Sequence, residues 1–454
     1  MNNSPIKRVK RTFIILIFAS LFFFTFSDAA HATVKYWIGP IGGSFADNAN
    51  WSLSSGGANN TTAPGASDVA TFTSADTDSA AIDSYISVQG VNINASYTGT
   101  LTQSAGIGVV VGSVGFTMAD GIYLGSTGTT TVTGTFSLSG GAFTASSATT
   151  TFQSNFTKTG GTYNANNATT TFEVSSAAAN ITSGSAAFNN VVFLRPVSDG
   201  NIPKTLLDNM SVSGNLSFWS YKSSGSTVGI QSQSSLNPTI TVQGNMYVPD
   251  TPGTYGITFG AATAASNLTV NMAGNLSMAE STFTLYAPIV FSGTGDQTIT
   301  KTAGIATSTM SSTKGSGTLT WSTYTTPNSA DRILWSAGNI TGSDGLNFYD
   351  LNISGGTFTA GTTTFSGPFS MSGGTFVASS ATTTFQGNFT KTGGTYNANN
   401  ATTTFEVSSV TSNITSGGAE FNNVVFLRPV SDGNVPKTLL DNMSVSGNLS
   451  FWSY

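Results

Sequence analysis

The chain has 454 residues and a formal net charge of −5, and only 8% of its residues are charged. A chain so sparsely charged and acidic lacks the clustered Lys and Arg that a phosphate backbone requires, which argues against nucleic acid as a partner. It contains no cysteine, so disulfides are excluded from the fold.

Residues 1–32 predict a cleaved signal peptide. Basic residues between positions 7 and 11 precede an apolar run from Phe13 to Phe26, and the small-x-small site Ala30-His31-Ala32 follows. The run is shorter than the roughly 20 residues that a membrane-spanning helix needs. We therefore expect a secreted or cell-surface protein, with no membrane span in the mature chain.

Cleavage would change the chemistry of the mature chain. It removes His31, the only histidine, so no imidazole or thiol remains. This excludes Ser-His-Asp triads, cysteine nucleophiles, zinc sites built on His or Cys, and iron–sulfur clusters. Eleven basic and nineteen acidic residues remain, a net charge of −8. We expect no cofactor and no metal.

Residues 33–100 are predicted to form an N-terminal cap and the first rungs of a repetitive fold. Trp37 and Trp51 lie close together here, Pro40 and Pro64 punctuate the stretch, and no short repeat is visible. A repetitive β fold needs such a cap, since its first edge would otherwise pair with other chains.

A large block of the chain is duplicated. Residues 129–221 recur as residues 362–454 at a constant offset of 233, with roughly 85% identity and no gap. We assign residues 101–221 to a solenoid that includes the first repeat block, 222–358 to divergent β-rich rungs and 359–454 to the second block. Tyr221 continues into Lys222, so we expect the second block to be truncated at Tyr454.

A period of 20 residues lies inside each block. It links Phe136 to Phe156 and Phe143 to Tyr163, and the first block also carries Gly-Gly pairs at the same spacing. A looser motif places asparagines 30 residues apart, at Asn215, Asn245 and Asn275. Units of this size hold two or three short runs rich in Thr, Val, Ile and Phe, separated by turn residues.

These periods predict an all-β parallel β-solenoid. A unit of 20 to 30 residues cannot bury its own apolar face, but stacked units share a continuous core in which Phe lies above Phe and Asn above Asn. At about 4.8 Å per rung the rod would be of order 90 Å long. Tandem β-sandwich domains are the alternative.

Three short motifs open the mature chain: Tyr36-Trp37-Ile38-Gly39, Asn50-Trp51-Ser52 and Ala63-Pro64-Gly65. Together with Gly-Asn-Leu units and the segment from Phe188 to Phe193, they resemble bacterial repeat-rich secreted surface proteins similar to autotransporter passengers and filamentous-haemagglutinin-like adhesins. The resemblance implies a β-helical protein with a structural or adhesive role. Its partners would be cell-surface glycans or other envelope proteins.

Repeated Thr-Thr-Thr-Phe segments give the candidate binding site. If Phe152 points inward, alternation turns Thr149 and Thr151 outward. The 20-residue step would stack them with Thr129/Thr131 and Thr169/Thr171, and Thr362/Thr364, Thr382/Thr384 and Thr402/Thr404 would repeat the ladder. Such a hydroxyl–methyl surface is suited to ice or a polysaccharide, although threonine is also simply a good strand residue.

The best catalytic candidate is a charged loop with Arg195, Asp199 and Lys204, repeated at Arg428, Asp432 and Lys437. A polysaccharide lyase or hydrolase on a β-helix would use such groups, but a loop protruding between rungs explains them as well. Weaker candidates for a carboxylate or calcium site are Asp76 with Asp78 and the single motif Gly293-Thr294-Gly295-Asp296. Asp199-Gly200-Asn201 and its copy Asp432-Gly433-Asn434 are predicted turns. We favour a non-catalytic structural or adhesive protein and keep the enzyme as the alternative.

Overall fold

The computed structural model describes residues 32–173, 179–197, 200, 202–233, 235–261, 268–324, 328–406, 411–430 and 436–454. Residues 1–31, which hold almost all of the predicted signal peptide, lie outside these ranges. The described chain is all-β, with about 51% strand and one 3₁₀ turn at Asn48–Asn50. Its strands stack in parallel into a solenoid of about 17 turns, which corresponds to roughly 80 Å.

Three strands make one turn, and each strand pairs in parallel with the strand one turn later. Thr130, for example, lies opposite Thr150, and Phe136 lies opposite Phe156. The prediction of a parallel β-solenoid is confirmed, and tandem sandwiches, which are antiparallel, are excluded. Four sheets result, and three long strands, Ile86–Ile93, Val109–Met118 and Ile305–Ser312, each pass from one sheet into the next.

Sheet 1 contains the first halves of Ile86–Ile93 and Val109–Met118. It continues through Thr130–Val132, Thr149–Phe152, Thr169–Glu173, Asn190–Arg195, Leu216–Ser220, Met246–Val248, Leu276–Met278, Gln297–Lys301, Leu319–Tyr324, Asn339–Gly342, Thr357–Thr359, Thr375–Val377, Thr395–Asn397, Glu420–Phe421 and Ser444–Val445.

Sheet 2 contains the second halves of the first two long strands and the start of Ile305–Ser312. Its other members are Thr33–Trp37, Asp68–Phe72, Phe136–Leu138, Phe156–Lys158, Ala179–Thr182, Lys204–Leu206, Val228–Ser232, Ile257–Phe259 and Thr284–Leu285. Trp51–Ser52 pairs antiparallel with Thr33–Trp37.

Sheet 3 contains the end of Ile305–Ser312. Its other members are Gly43–Ser44, Ala80–Ile82, Thr100–Gln103, Ile122–Leu124, Ala142–Thr144, Thr162–Asn164, Ala187–Phe188, Met210–Val212, Thr239–Val242, Thr269–Met272, Ile289–Phe291, Arg332–Ala337, Leu351–Ile353, Phe369–Met371, Phe389–Lys391, Ser412–Thr415 and Lys437–Leu439. Sheet 4 consists of Leu346–Phe348, Thr363–Phe365, Thr382–Phe385, Thr402–Glu406, Asn423–Arg428 and Leu449–Ser453.

The interior is a column of stacked aromatic rings, as the 20-residue period predicts. Phe143 and Tyr163 stack with their ring centroids 5.7 Å apart and their planes 8° apart. Phe136 and Phe156 stack at 5.0 Å. Both pairs lie directly opposite each other in the parallel register and are buried. One elongated core therefore replaces the separate cores that globular domains would have.

The corners of the turns depend on glycine in two ways. Gly141 has a φ of +68°, a conformation that side-chain-bearing residues rarely adopt. Gly244 packs directly on the turn below it, and a Cβ there would lie 2.4 Å from the carbonyl oxygen of Gly214. The Gly-Gly and Gly-Asn pairs of the sequence mark these two situations.

The asparagines spaced by 30 residues form a ladder at one corner. The Oδ1 of Asn215 accepts a hydrogen bond from the backbone N–H of Asn245 at 2.8 Å, and the Oδ1 of Asn245 accepts one from Asn275 at 2.7 Å. The predicted stacking of asparagines is confirmed. Each amide side chain satisfies a backbone donor of the next turn that no strand partner reaches.

Asn245→Ala is expected to weaken the local turns by about 1–2 kcal/mol, because the N–H of Asn275 loses its acceptor. Hydrogen exchange of the segment 269–278 measures the effect as faster opening. Asn245→Asp keeps an acceptor oxygen and is the matched control. Equal exchange in the two variants would contradict this role of the ladder.

An aromatic cluster covers the first turn. Trp37 and Trp51 are fully buried and meet edge to face at 5.3 Å, and Phe45 packs on Trp51 at 4.8 Å. The antiparallel pairing of Trp51–Ser52 interrupts the parallel stacking at this end. The two tryptophans of the predicted cap segment thus lie together over the apolar column.

Corresponding strands of the two duplicated blocks lie on different sheets, because the order in which the chain visits the sheets shifts by one position between residues 305 and 348, which we call the change of phase. The single strand Ile305–Ser312 pairs with sheet 2 at its start and with sheet 3 at its end. No described strand continues sheet 2 beyond it. Leu346–Phe348 then begins sheet 4. In the earlier turns the strand after sheet 1 belongs to sheet 2, and in the later turns it belongs to sheet 4. Consequently Thr149–Phe152 lies in sheet 1, whereas its copy Thr382–Phe385 lies in sheet 4.

Candidate functional site

The threonines singled out in the sequence lie together on the outer side of sheet 1. In the register of the strands, Thr151 lies opposite Thr131 and Thr171, and Thr149 lies opposite Thr169. The phenylalanines of the same strands, such as Phe152, are fully buried. The structure therefore forms one predicted outward row over three turns, Thr131 to Thr171, and the other over the two turns of Thr149 and Thr169.

The ladder is not uniformly open to solvent. Thr149, Thr151 and Thr169 are half-buried, whereas Thr171 retains only 6% of its exposure. One turn further on, Asn190 follows Thr169 and Val192 follows Thr171. The threonine surface is thus a short patch, and in the next turn an amide and an aliphatic side chain take the place of the threonines.

The second ladder lies on sheet 4 and borders a depression of about 430 Å³. Thr382 and Thr384 line it together with Thr362 and Thr364 from the previous turn. Asn347 lines it as well, and its Oδ1 atom is buried without a hydrogen-bond partner among the described residues. The predicted residues of both blocks are thus gathered, but on two sheets that face different directions.

Beyond the threonines, sheet 1 carries a second depression, of about 410 Å³, which we call the aromatic groove. Its walls and polar lining come from Thr169, Asn190, Asn215, Ser217, Trp219 and Tyr221. Val192 and Leu194 give it an apolar floor. The rings of Trp219 and Tyr221 lie 6.4 Å apart with an angle of 34° between their planes.

Several polar atoms of the aromatic groove have no partner among the residues that the structure describes. Asn190 and Asn215 use Oδ1 to accept backbone N–H groups of the next turn, at 2.9 and 2.8 Å. Within the described ranges, their Nδ2 groups and the hydroxyls of Thr169 and Ser217 make no hydrogen bond. These groups remain available to a ligand that offers hydroxyls.

The sequence predictions missed this groove, although a signal was present. In the run from Leu216 to Tyr221, the inward parity belongs to Leu216, Phe218 and Ser220, which are buried. Alternation therefore turns Trp219 and Tyr221 outward, where large aromatic rings are unusual. All eight residues of the groove recur at the offset of 233: Thr402, Asn423, Val425, Leu427, Asn448, Ser450, Trp452 and Tyr454.

The prediction that Arg195 and Lys204 belong to a charged loop protruding between rungs is wrong. Arg195 is fully buried, and its guanidinium donates to the carbonyl oxygens of Gly256, at 2.8 Å, and Ser226. Lys204 is also buried, with its Nζ 3.3 Å from the carbonyl oxygen of Ser154. Both side chains share the parity of buried apolar neighbours in their strands. Asp199 and Asn201, and Asp432 in the second block, lie outside the described residues.

Burial governs the ionisation of the two inward lysines. It lowers the pKa of Lys204 to about 7, and the carboxylate of Glu173 opposes this effect only in part. Its copy Lys437 donates to the Ser412 hydroxyl at 2.8 Å and to the Gln386 carbonyl at 3.1 Å. Burial lowers the pKa of Lys437 to about 8, again against the attraction of a carboxylate, that of Glu406.

The other acidic candidates form turns. Asp76 accepts the N–H of Asp78 at 3.1 Å, and burial raises the pKa of its carboxyl. Asp296 accepts the N–H and the hydroxyl of Thr318, which lowers its pKa. Among the residues that the structure describes, no three His, Cys, Asp or Glu side chains are grouped to hold a metal ion.

The fold and these outer faces define the class of the protein as a parallel β-solenoid with polar, aromatic-bearing surfaces. Comparisons with protein-family models, curated proteins and solved structures gave no match. In the described part of the chain, no helix has both the length and the apolar character to cross a membrane.

Proposed function

We propose that the chain is an exported, non-catalytic protein of the cell surface or medium, whose solenoid is a scaffold for adhesive faces. Its partners would be surface glycans or other envelope proteins. The residues of the mature chain suit this role, since it is sparsely charged and rich in hydroxyl and amide side chains. The resemblance to repeat-rich bacterial surface proteins points in the same direction.

One observation carries the proposal. The outward set of eight Thr, Asn, Val, Leu, Ser, Trp and Tyr residues that line the aromatic groove occurs twice with every identity unchanged. The change of phase places the two sets on different sheets, about ten turns and therefore roughly 50 Å apart along the axis. Two sets of identical residues on one scaffold favour binding to large, repetitive partners, because each second contact is intramolecular.

The lining of these faces favours binding over catalysis. Among the described residues, no carboxylate, lysine or arginine lines the aromatic groove or the depression beside Thr382. Glycosidases depend on a pair of carboxylates, and general acid–base chemistry depends on a titratable group within reach of the substrate. The cations Arg195 and Lys204 are enclosed in the solenoid.

Export is tested by expressing the full chain in a bacterial host and determining the N-terminus of the protein recovered from the envelope and medium. We expect it to start at Thr33. A Leu16→Arg/Phe22→Arg variant should stay inside the cell as a precursor, because charges break the apolar run. Leu16→Ile is the control that keeps the run. An unprocessed wild-type chain in the cytoplasm would refute export.

Adhesion is tested with beads coated with the purified chain on whole bacterial cells and on a glycan array. Thr151→Lys/Thr384→Lys places a charge on the outer threonine patches of sheets 1 and 4. Retention should fall about tenfold, since a binding face must then desolvate a lysine. The matched control is Ser137→Lys/Ser370→Lys, on the outer sides of sheets 2 and 3. Absence of retention on every surface, or equal retention of the two variants, would refute the adhesive role.

A further inference from the structure

We infer that the aromatic groove and its copy bind a neutral carbohydrate chain. This inference rests on the proposed function as a binding scaffold, and it names the ligand and the residues. Three independent features of the groove point to a neutral sugar: its aromatic wall, its unpartnered polar atoms and the absence of charge from its lining.

The aromatic wall supplies a flat apolar contact. Trp219 is half-buried and Tyr221 is 39% exposed, so the protein fixes the rings and leaves part of each face open. Rings of this kind bury a large area at a low cost in side-chain entropy, and Trp and Tyr dominate binding energy where they are accessible. The C–H faces of a pyranose ring are an apolar surface of matching size.

The polar atoms lie on the same depression as the rings. Asn190 and Asn215 each offer an Nδ2 group held in place by the ladder through Oδ1, and Ser217 and Thr169 add hydroxyls. These amides are pre-organised, because the backbone bonds to Oδ1 fix their orientation. Sugar hydroxyls both donate and accept hydrogen bonds and can satisfy amides and hydroxyls together.

The lining also decides between ligand classes. An acidic polysaccharide needs a cation, and in the described part of the chain no Lys or Arg lines the groove. A peptide bound as an added strand needs a free sheet edge, whereas in the groove at Trp219 the backbone pairs on both sides, with Thr169–Glu173 below and Met246–Val248 above the two groove strands. A neutral glycan, recognised by side chains alone, fits the face of a sheet.

The groove follows the axis of the solenoid. Its polar residues come from three successive turns, at Thr169, Asn190 and Asn215, so it is about 10 Å long between the outer turns. Tyr247 lies one turn beyond Ser217 and is 40% exposed, which extends the surface in the same direction. A chain of several sugar units laid parallel to the axis would contact all of them.

The test is affinity electrophoresis of the purified chain in gels that contain hydroxyethyl cellulose, galactomannan, soluble glycol chitin, alginate or polygalacturonate. We expect retardation by at least one neutral polymer and none by the two acidic polymers. Trp219→Ala should weaken binding about tenfold, and Trp219→Ala/Trp452→Ala should abolish it. Tyr85→Ala, which removes a ring that is 65% exposed outside both grooves, is the matched control.

Unchanged retardation of the double variant, binding to acidic polymers alone, or no binding to any neutral polymer would overturn the inference. Far-ultraviolet circular dichroism of each variant separates loss of binding from loss of fold. The proposed function is judged separately: if beads adhere to cells and depend on the Thr151 and Thr384 faces while no neutral polymer binds, adhesion stands and the sugar assignment falls.

Discussion

Asp331→Ala is expected to lower the free energy of opening of the central turns by about 3–5 kcal/mol, the largest loss from any single change considered for this protein. Asp331 is fully buried, and its carboxylate lies 3.1 Å from the ammonium group of Lys301. It also accepts the N–H of Ala306 at 2.8 Å and the hydroxyl of Tyr324. Alanine leaves a buried cation and a buried N–H without these partners.

The position of this cluster makes the prediction specific. Lys301 and Tyr324 end neighbouring strands of sheet 1, at the corner where sheet 2 ends and sheet 4 begins. Turns of a solenoid interact mainly with their neighbours, so the damage should stay local. Hydrogen exchange should therefore show faster opening of segments between residues 297 and 348, while the turns of the first block remain protected.

Two variants check the reason for this loss. Lys301→Met/Asp331→Leu removes both charges and should recover part of the stability. No buried cation is then left without its counter-ion, but the Ala306 N–H and the Tyr324 hydroxyl still lack their acceptor. Asp296→Ala removes a carboxylate that lies on the surface and should change the opening of these turns much less than Asp331→Ala does. Equal damage from Asp296→Ala and Asp331→Ala would contradict the assignment.

The stacking of turns was predictable because it depends on spacing alone. Phenylalanines and asparagines that recur every 20 or 30 residues must meet when parallel strands stack, and Phe143 above Tyr163 is the result. The outward threonines follow from the same alternation, with Phe152 as the inward reference. The length of the threonine patch depends on which residues the neighbouring turns place beside it, and one repeat alone does not show this.

The change of phase could not be predicted from the repeat. The two blocks are nearly identical in sequence at the offset of 233. The sheet to which each strand of the second block belongs depends on how many strands lie between the blocks. Ile305–Ser312 fills two positions of a turn with one strand, because no turn residue interrupts its alternation. A continuous period-2 pattern therefore conceals the corner that separates two sheets elsewhere.

The inward cations were missed for a different reason. In Asn190–Arg195 the buried residues are Val191, Phe193 and Arg195, so parity alone places the guanidinium inside. Charged residues are mostly exposed, so the sequence prediction placed Arg195 on the surface despite its inward position in the alternation. Backbone carbonyls at the turns accept the buried donors, and this compensation is visible only in three dimensions.

Lys204→Met is expected to stabilise the protein at acidic and neutral pH, and the gain should shrink as the pH rises. The folded pKa of Lys204 is about 7, below the value of about 10.4 for an unfolded lysine, because burial disfavours the charged form. Between these values the unfolded chain binds more protons, so wild-type stability rises with pH. At about 1.4 kcal/mol per pKa unit, the advantage of the variant should fall by roughly 3 kcal/mol between pH 6.5 and 9.5.

Hydrogen exchange of the strands Ala179–Thr182 and Lys204–Leu206, corrected for intrinsic rates at each pH, measures this change. Lys437→Met is the matched variant in the second copy, where the pKa of about 8 moves the pH-dependent window upward and predicts a smaller effect. The carbonyls of Gln153 and Ser154 lose only long contacts of 3.4 and 3.3 Å in Lys204→Met, a loss that does not depend on pH. A constant difference between variant and wild type from pH 6.5 to 9.5 would show that Lys204 stays charged inside the solenoid, because only a change in its protonation couples folding to pH here.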